Sequence, residues 1–160
     1  MAETFFYKRA TFVTHLPKSY LFSPSHYWLA QEEDGIWRVG FTKFATRMLG
    51  DLVDHQFEKQ PGDSVSHGEV VGSVEGFKAI SDLYSPVAGQ FVGGNPALLS
   101  DPEKIGSDPY GSGWLFRVTG TPDARCGDWE SYQRLLDATI DRMLEKQGGD
   151  ASATTESTTE

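Results

Sequence analysis

The chain has a single cysteine, Cys126. That excludes an internal disulfide and a cysteine-rich zinc site, and a reducing compartment is the expected setting. The four histidines (His15, His26, His55 and His67) show no short paired spacing, so structural or surface roles are expected of them rather than metal ligation. No apolar run approaches the length of a membrane span. Residues 1–10 carry Glu3, Lys8 and Arg9 and do not read as a secretory signal, so a cytoplasmic protein is expected. Basic residues are scarce: 14 Lys and Arg stand against 23 Asp and Glu, for a net charge of −9. A surface of that sign repels phosphate backbones and anionic lipid heads, so neither nucleic acid nor membrane is an expected partner. The nucleophile motif G-x-S-x-G is missing, and Gly106–Gly111 is followed by Ser112 where a phosphate-binding loop requires lysine. Cys126 follows Arg125 and is read as a surface thiol whose pKa the guanidinium lowers modestly.

What is present is a globular composition. The 160 residues are 38% hydrophobic and 23% charged, with 10 Phe, 6 Tyr and 4 Trp. That length suits one domain with a core of its own. Residues 128–146 place Trp129, Tyr132, Leu136, Ile140 and Met143 three and four apart, which predicts a helix with Asp128 as N-cap and Gly148 just past its end. The stretch 148–160 (GGDASATTESTTE) has nothing apolar beyond alanine and is expected to be a disordered tail. A short helix is predicted over Thr42–Gly50, with Phe44, Met48 and Leu49 on one face.

The remainder reads as β. Strands are predicted over 36–41, 69–75, 80–85, 90–92 and 114–118, separated by turns at 61–63, 86–89, 101–102 and 108–111. Short strands at this spacing suggest a small barrel or sandwich rather than a parallel α/β sheet. The N-terminal aromatics Phe5, Phe6, Tyr7, Tyr20, Phe22, Tyr27 and Trp28 are expected to pack on it. Within Val74–Ile80 two β runs flank Lys78, which a hairpin would carry at an exposed tip.

The window Ser73–Gly89 (SVEGFKAISDLYSPVAG) resembles the lipoylation hairpin of the glycine cleavage system H protein family. Further segments match in order: Ser25-His26-Tyr27-Trp28, Arg38–Ala45, Leu49-Gly50-Asp51, Pro61-Gly62-Asp63, Asn95–Leu99 and Ser107–Leu115. The resemblance spans about Ser23 to Val118 and implies an all-β hybrid barrel-sandwich with short helices and a C-terminal helix. It divides the chain into an N-terminal extension (1–22), a carrier domain (23–147) and the tail. It also implies lipoic acid amide-linked to Lys78, with Glu75 and Asp82 assisting recognition of the hairpin, and Ser25 and Tyr27 lining a cleft where the arm rests. The chain would then be a carrier and not an enzyme. It would be loaded by a lipoate ligase or lipoyl transferase and would carry an aminomethyl group between glycine decarboxylase, aminomethyltransferase and dihydrolipoyl dehydrogenase. A biotin carrier is disfavoured, because methionine usually flanks that lysine and here Phe77 and Ala79 do.

Four positions depart from the family pattern: Tyr27 stands where Glu is usual, Lys43 where Asp is frequent, and Gly76-Phe77 where Ser-Val is usual. Loss of an acid at position 27 removes a charge-assisted hydrogen bond for a cationic cargo. An alternative within the same resemblance is therefore an H-like lipoate-binding protein that carries sulfur for a heterodisulfide-reductase-like sulfur-oxidation complex. A third reading is an interaction module whose lysine is never modified.

Overall fold

The computed structural model describes residues 3–33 and 35–156. In chain order the strands are β1 (Thr4–Arg9), β2 (Phe12–Pro17), β3 (Leu21–Phe22), β4 (Tyr27–Glu33) and β5 (Ile36–Phe41), followed by helix α1 (Lys43–Leu49). Then come β6 (Leu52–Phe57), β7 (Ser64–Val65), β8 (Val70–Gly76), β9 (Ile80–Tyr84), β10 (Val87–Gly94), a 3₁₀ turn (Pro96–Leu99) and α2 (Lys104–Ser107). The chain ends with β11 (Phe116–Pro122) and α3 (Trp129–Glu156).

Six strands form one antiparallel sheet in the order β3-β4-β5-β11-β10-β7, and β6-β8-β9 form a second. Alternating side chains from both meet in one core, which includes Leu29, Val39, Val71, Val74, Leu83, Phe91, Phe116 and Val118. Each large apolar side chain buried there contributes roughly 1.5–3 kcal/mol. The expected small antiparallel barrel-sandwich with short helices and a C-terminal helix is what forms.

The N-terminal segment is built into the domain. Phe12, Thr14 and Leu16 alternate inward along β2, and the β1–β2 hairpin packs against the opposite face of β4 together with α1 and α3. This second core gathers Tyr7, Phe12, Leu16, Trp28, Phe44, Tyr132, Leu136 and Ile140. Trp28 is fully buried, and its indole donates to the carbonyl of Pro109 at 2.7 Å. Gly40 permits this, since a Cβ there would lie 2.5 Å from the Trp28 ring. At the hairpin's outer end Arg9 pairs with Asp141 of α3 at 2.8 Å. That pair is exposed and adds little stability.

Three element boundaries differ from expectation. β10 begins at Val87, so the turn expected over 86–89 is confined to Ser85-Pro86, where the Ser85 hydroxyl bonds both polar backbone groups of Val87. β11 starts at Phe116 rather than Trp114 and runs on to Pro122, because it pairs with β10 along its length. Asp128 caps α3 through the Ser131 N–H as expected, but the helix continues past Gly148 to Glu156. Residues 148–156 of the expected disordered tail are thus helical backbone, and 157–160 lie outside the described residues. A glycine ends a helix by leaving for the left-handed region. Where it stays helical, propagation continues, and Ala151 and Ala153 favour it.

Candidate functional site

The site is built where the β8–β9 hairpin meets the C-terminal end of α1. Antiparallel pairing of Glu75 with Ile80 closes the hairpin, and the Gly76 N–H donates to the Ala79 carbonyl at 2.8 Å. Phe77, Lys78 and Ala79 form the exposed tip. Thr42 caps the start of α1 with its hydroxyl, and Gly50 ends the helix at φ +79°, as the sequence predicts.

The tip does not hang free. The Lys78 N–H donates to the Leu49 carbonyl at 2.9 Å, and the Phe77 N–H donates to the Asp51 carbonyl at 3.0 Å. The first of these bonds satisfies a carbonyl that the end of α1 otherwise leaves unpaired. Lys78 therefore has a fixed backbone and a free side chain. Its ammonium lies over the last turn of α1 and donates to the Arg47 carbonyl at 3.3 Å, at the negative end of the helix dipole. An amide formed at Nζ keeps one N–H, enough to hold the same carbonyl, so the position accepts acylation without leaving a group unpaired. Among its neighbours Phe77 is 78% and Ile80 75% exposed, an apolar pair displayed rather than packed.

Glu75 and Asp82 are exposed on the outer face of the same hairpin, since Val74 and Leu83 point into the core. Glu75 pairs with Ile80, and Asp82 pairs with Ser73. The two acids therefore sit diagonally behind the tip.

Three hollows surround α1. One of about 540 Å³ lies toward α2 and is largely charged at its rim, with Lys43, Arg47, Asp51, Lys78 and Glu103. A second, of about 360 Å³, runs between the β1–β2 turn, α1 and α3, and Lys78 stands at its edge too. A third, of about 250 Å³, brings Ser25 and Tyr27 together with Ser81 and Tyr84. Lys78 lines the first two, and the lining of the third does not include it.

Tyr27 is buried and stacked on Phe41 at 5.2 Å, and its hydroxyl accepts the Tyr84 N–H at 2.9 Å. Burial pushes its phenol pKa upward. The side chain therefore locks β4 to β9 and offers no carboxylate. His26, at φ +73°, is half-buried between Phe44 and Tyr132. Its Nδ1 bonds the Tyr132 hydroxyl at 2.8 Å, and burial pushes its pKa down to about 4.

The remaining motifs hold the frame. Asn95 accepts the Ala97 N–H and donates to the Ser112 and Trp114 carbonyls. Asp108 accepts both the N–H and the hydroxyl of Ser112. The 106–113 segment is thus held by its own side chains. Cys126 corrects an expectation. Burial, with the nearby Asp123 carboxylate, pushes its thiol up to about 11 and outweighs the lowering by Arg125, which is paired with Asp123 at 2.9 Å. Met48, expected on a buried face of α1 with Phe44 and Leu49, is 49% exposed. Sequence reasoning also passed over Arg47, whose carbonyl receives Lys78, because a backbone acceptor leaves no trace in residue type.

Among the described residues no group of His, Cys, Asp and Glu side chains is placed to hold a metal, and no helix is long and apolar enough to cross a membrane.

The fold is an antiparallel barrel-sandwich that displays one buttressed lysine at a hairpin tip. The family model described as glycine cleavage H-protein matches residues 20–140, and the chain belongs to that family. Glycine cleavage system H proteins from Shewanella strain ANA-3 and Shewanella loihica are 38% and 39% identical over 130 residues, covering 78% of this chain and 98% of each relative. The crystal structure of a glycine cleavage system H protein from Mycobacterium marinum superposes with a TM-score of 0.66 at 39% identity, covering 73% of this chain and 95% of that one.

Proposed function

We propose that this chain is a lipoyl carrier of glycine cleavage, with Lys78 as the attachment point. The observation that carries the reading is the tip geometry: a backbone held to the Leu49 and Asp51 carbonyls, and a lysine side chain left exposed above it. A ligase needs the amine reachable and the surrounding turn in one shape, and both conditions are met. Amide-linked to Lys78, a lipoyl group supplies a dithiolane that is reversibly reduced and that takes up and hands on a one-carbon aminomethyl unit.

The protein's own residues position and present. Lysine provides the amine nucleophile, which loses its charge on acylation. Glu75 and Asp82 give the hairpin an acidic face for a lipoate ligase or lipoyl transferase to read. Phe77 and Ile80 provide apolar contact for the mouths of partner active sites. Those partners are glycine decarboxylase, aminomethyltransferase and dihydrolipoyl dehydrogenase, met in turn by transient docking; the net charge of −9 suits basic rims. None of this asks the chain itself to act as an enzyme, and a cytoplasmic setting is part of the same reading.

One observation favours the sulfur-carrying alternative. Where an acid would rest a cationic cargo, Tyr27 is buried and its hydroxyl is engaged with Tyr84. A neutral sulfur cargo would not miss that carboxylate.

Peptide mass analysis of protein from its native cells tests the attachment. Lipoyl mass is expected on the Lys78 peptide, and Lys78→Arg is expected to fold normally and carry none. Lipoyl mass on the Lys78→Arg protein, or an unmodified Lys78 in actively growing cells, would contradict the reading.

A further inference from the structure

We propose that the outer side of α1 is a docking surface for an acidic rim on the enzyme that receives the Lys78 arm, an inference that rests on the lipoyl-carrier reading above. α1 carries Lys43 and Arg47 four residues apart and no acidic residue. Both side chains are exposed, and both line the hollow beside Lys78. Among the described residues neither forms an ion pair; the paired cations are Arg9, Arg38, Lys59, Lys104, Arg117 and Arg125. Asp51 and Glu103 line the same hollow, and they pair with neither cation. Lys43 stands at the first position of the helix, the positive end of its dipole, where a cation is repelled. Arg47, in the last turn, has the sign the dipole favours, so Lys43 is the telling residue. The helix end itself is closed: the Thr42 hydroxyl accepts the Ala45 N–H, and the Tyr110 hydroxyl accepts the Lys43 N–H. What is offered outward is the ammonium alone, and its counter-charge comes from another molecule.

The outer face of the β6-β8-β9 sheet has the opposite sign. Asp54 and Glu75 are exposed and lie directly opposite each other across the β6–β8 pair. Like charges so placed destabilise a sheet, and among the described residues no cation pairs with either acid. Two elements beside Lys78 thus display charges that work against the stability of the fold. An enzyme mouth that fits both carries acid where it meets α1 and base where it meets the sheet. Such a two-signed rim admits the carrier in one orientation about Lys78 and rejects the half-turned one, in which like charges meet. Phe77 and Ile80, exposed at the tip, supply the apolar contact at its centre. A polyanion such as nucleic acid or an anionic membrane fits less well, because the same contact would press it against the acids of the sheet.

The test uses full-length protein verified by peptide mass as lipoylated at Lys78. It measures the carrier concentration that half-saturates glycine decarboxylase from the same organism in bicarbonate exchange. Lys43→Glu and Asp54→Lys each remove an unfavourable charge contact within the fold, so their unfolding midpoints are expected to match or exceed that of the wild type. Each is nevertheless expected to raise the half-saturating concentration roughly fivefold at low ionic strength, with the plateau rate kept and the difference fading at high salt. Lys43→Arg is expected to behave as wild type. An unchanged half-saturation in Lys43→Glu overturns the proposal, and so does a lowered one, which would place base over α1. A rise that persists at high salt overturns it as well, as does a plateau that falls while half-saturation holds, the mark of a group acting on the cargo. All four results leave the carrier reading intact. No exchange from lipoylated wild-type protein removes the glycine-cleavage reading and this proposal together.

Discussion

The backbone N–H of Lys78 donates to the carbonyl of Leu49 at 2.9 Å, so the residue that presents the arm also completes the end of α1. Gly50 makes this contact possible. Its φ of +79° turns the chain off the helix, and a Cβ there would lie 2.9 Å from Lys78 Cγ. Gly50→Ala is expected to cost about 1–3 kcal/mol from the backbone alone, since φ +79° with ψ −170° is a region that essentially only glycine occupies. It should also displace the tip, reducing ligase-catalysed lipoylation of Lys78 more than the stability loss accounts for. Urea unfolding and lipoylation rates measured on the same variant check this; normal lipoylation would mean the α1 buttress is dispensable.

Tyr27→Phe leaves the stack on Phe41 but removes the acceptor for the Tyr84 N–H. A loss of about 1 kcal/mol is expected, the net worth of a part-buried hydrogen bond. Denaturant midpoints of the two proteins decide it; equal midpoints would show that water replaces the hydroxyl.

His26 sets an acid limit to stability. Burial holds its pKa down to about 4, below the 6.5 of the unfolded chain. Between those values the unfolded state binds the extra proton, so stability is complete above pH 6.5 and falls as pH drops toward 4. Between pH 7 and pH 5 this group alone removes about 2 kcal/mol. Burial lowers His55 as well, and Asp108, Glu32 and Asp123 have depressed carboxyl pKa values whose losses come at lower pH. His26→Asn, which tolerates the positive φ, is expected to flatten the dependence over pH 5–7. An unchanged slope in that variant would assign the dependence elsewhere.

Cys126 is expected to react slowly. With the thiol pushed up to about 11 by burial, the thiolate is scarce at pH 8. Alkylation by iodoacetamide should be at least tenfold slower than for an unperturbed thiol near pKa 8.5, and should recover after unfolding in urea. Rapid reaction in the folded protein would place the thiol at the surface.

Much of this molecule is legible in the residues. Alternation in Val70–Gly76 and Ile80–Tyr84 gives both strands of the hairpin, and the ordered motifs around Lys78 give its place at the tip. Thr42 and Gly50 bound α1 because capping chemistry is local. The N-terminal hairpin is harder to read: its turn at Ala10-Thr11 places Ala10 at φ +55° without the glycine or asparagine that usually announces such a turn. Relations across long separations leave no local mark either. Position 27 shows that an acid is missing, but not that the tyrosine hydroxyl holds a backbone N–H on β9. Arg125 beside Cys126 suggests a surface thiol with a modestly lowered pKa, and only the fold shows the burial that outweighs it.

The most direct test of the central claim is exchange of labelled bicarbonate into glycine, catalysed by glycine decarboxylase with this protein verified as lipoylated at Lys78. Exchange well above that supported by Lys78→Arg is the predicted result. No exchange from a fully lipoylated sample would contradict a role in glycine cleavage and leave the sulfur-carrying role as the better account of Tyr27.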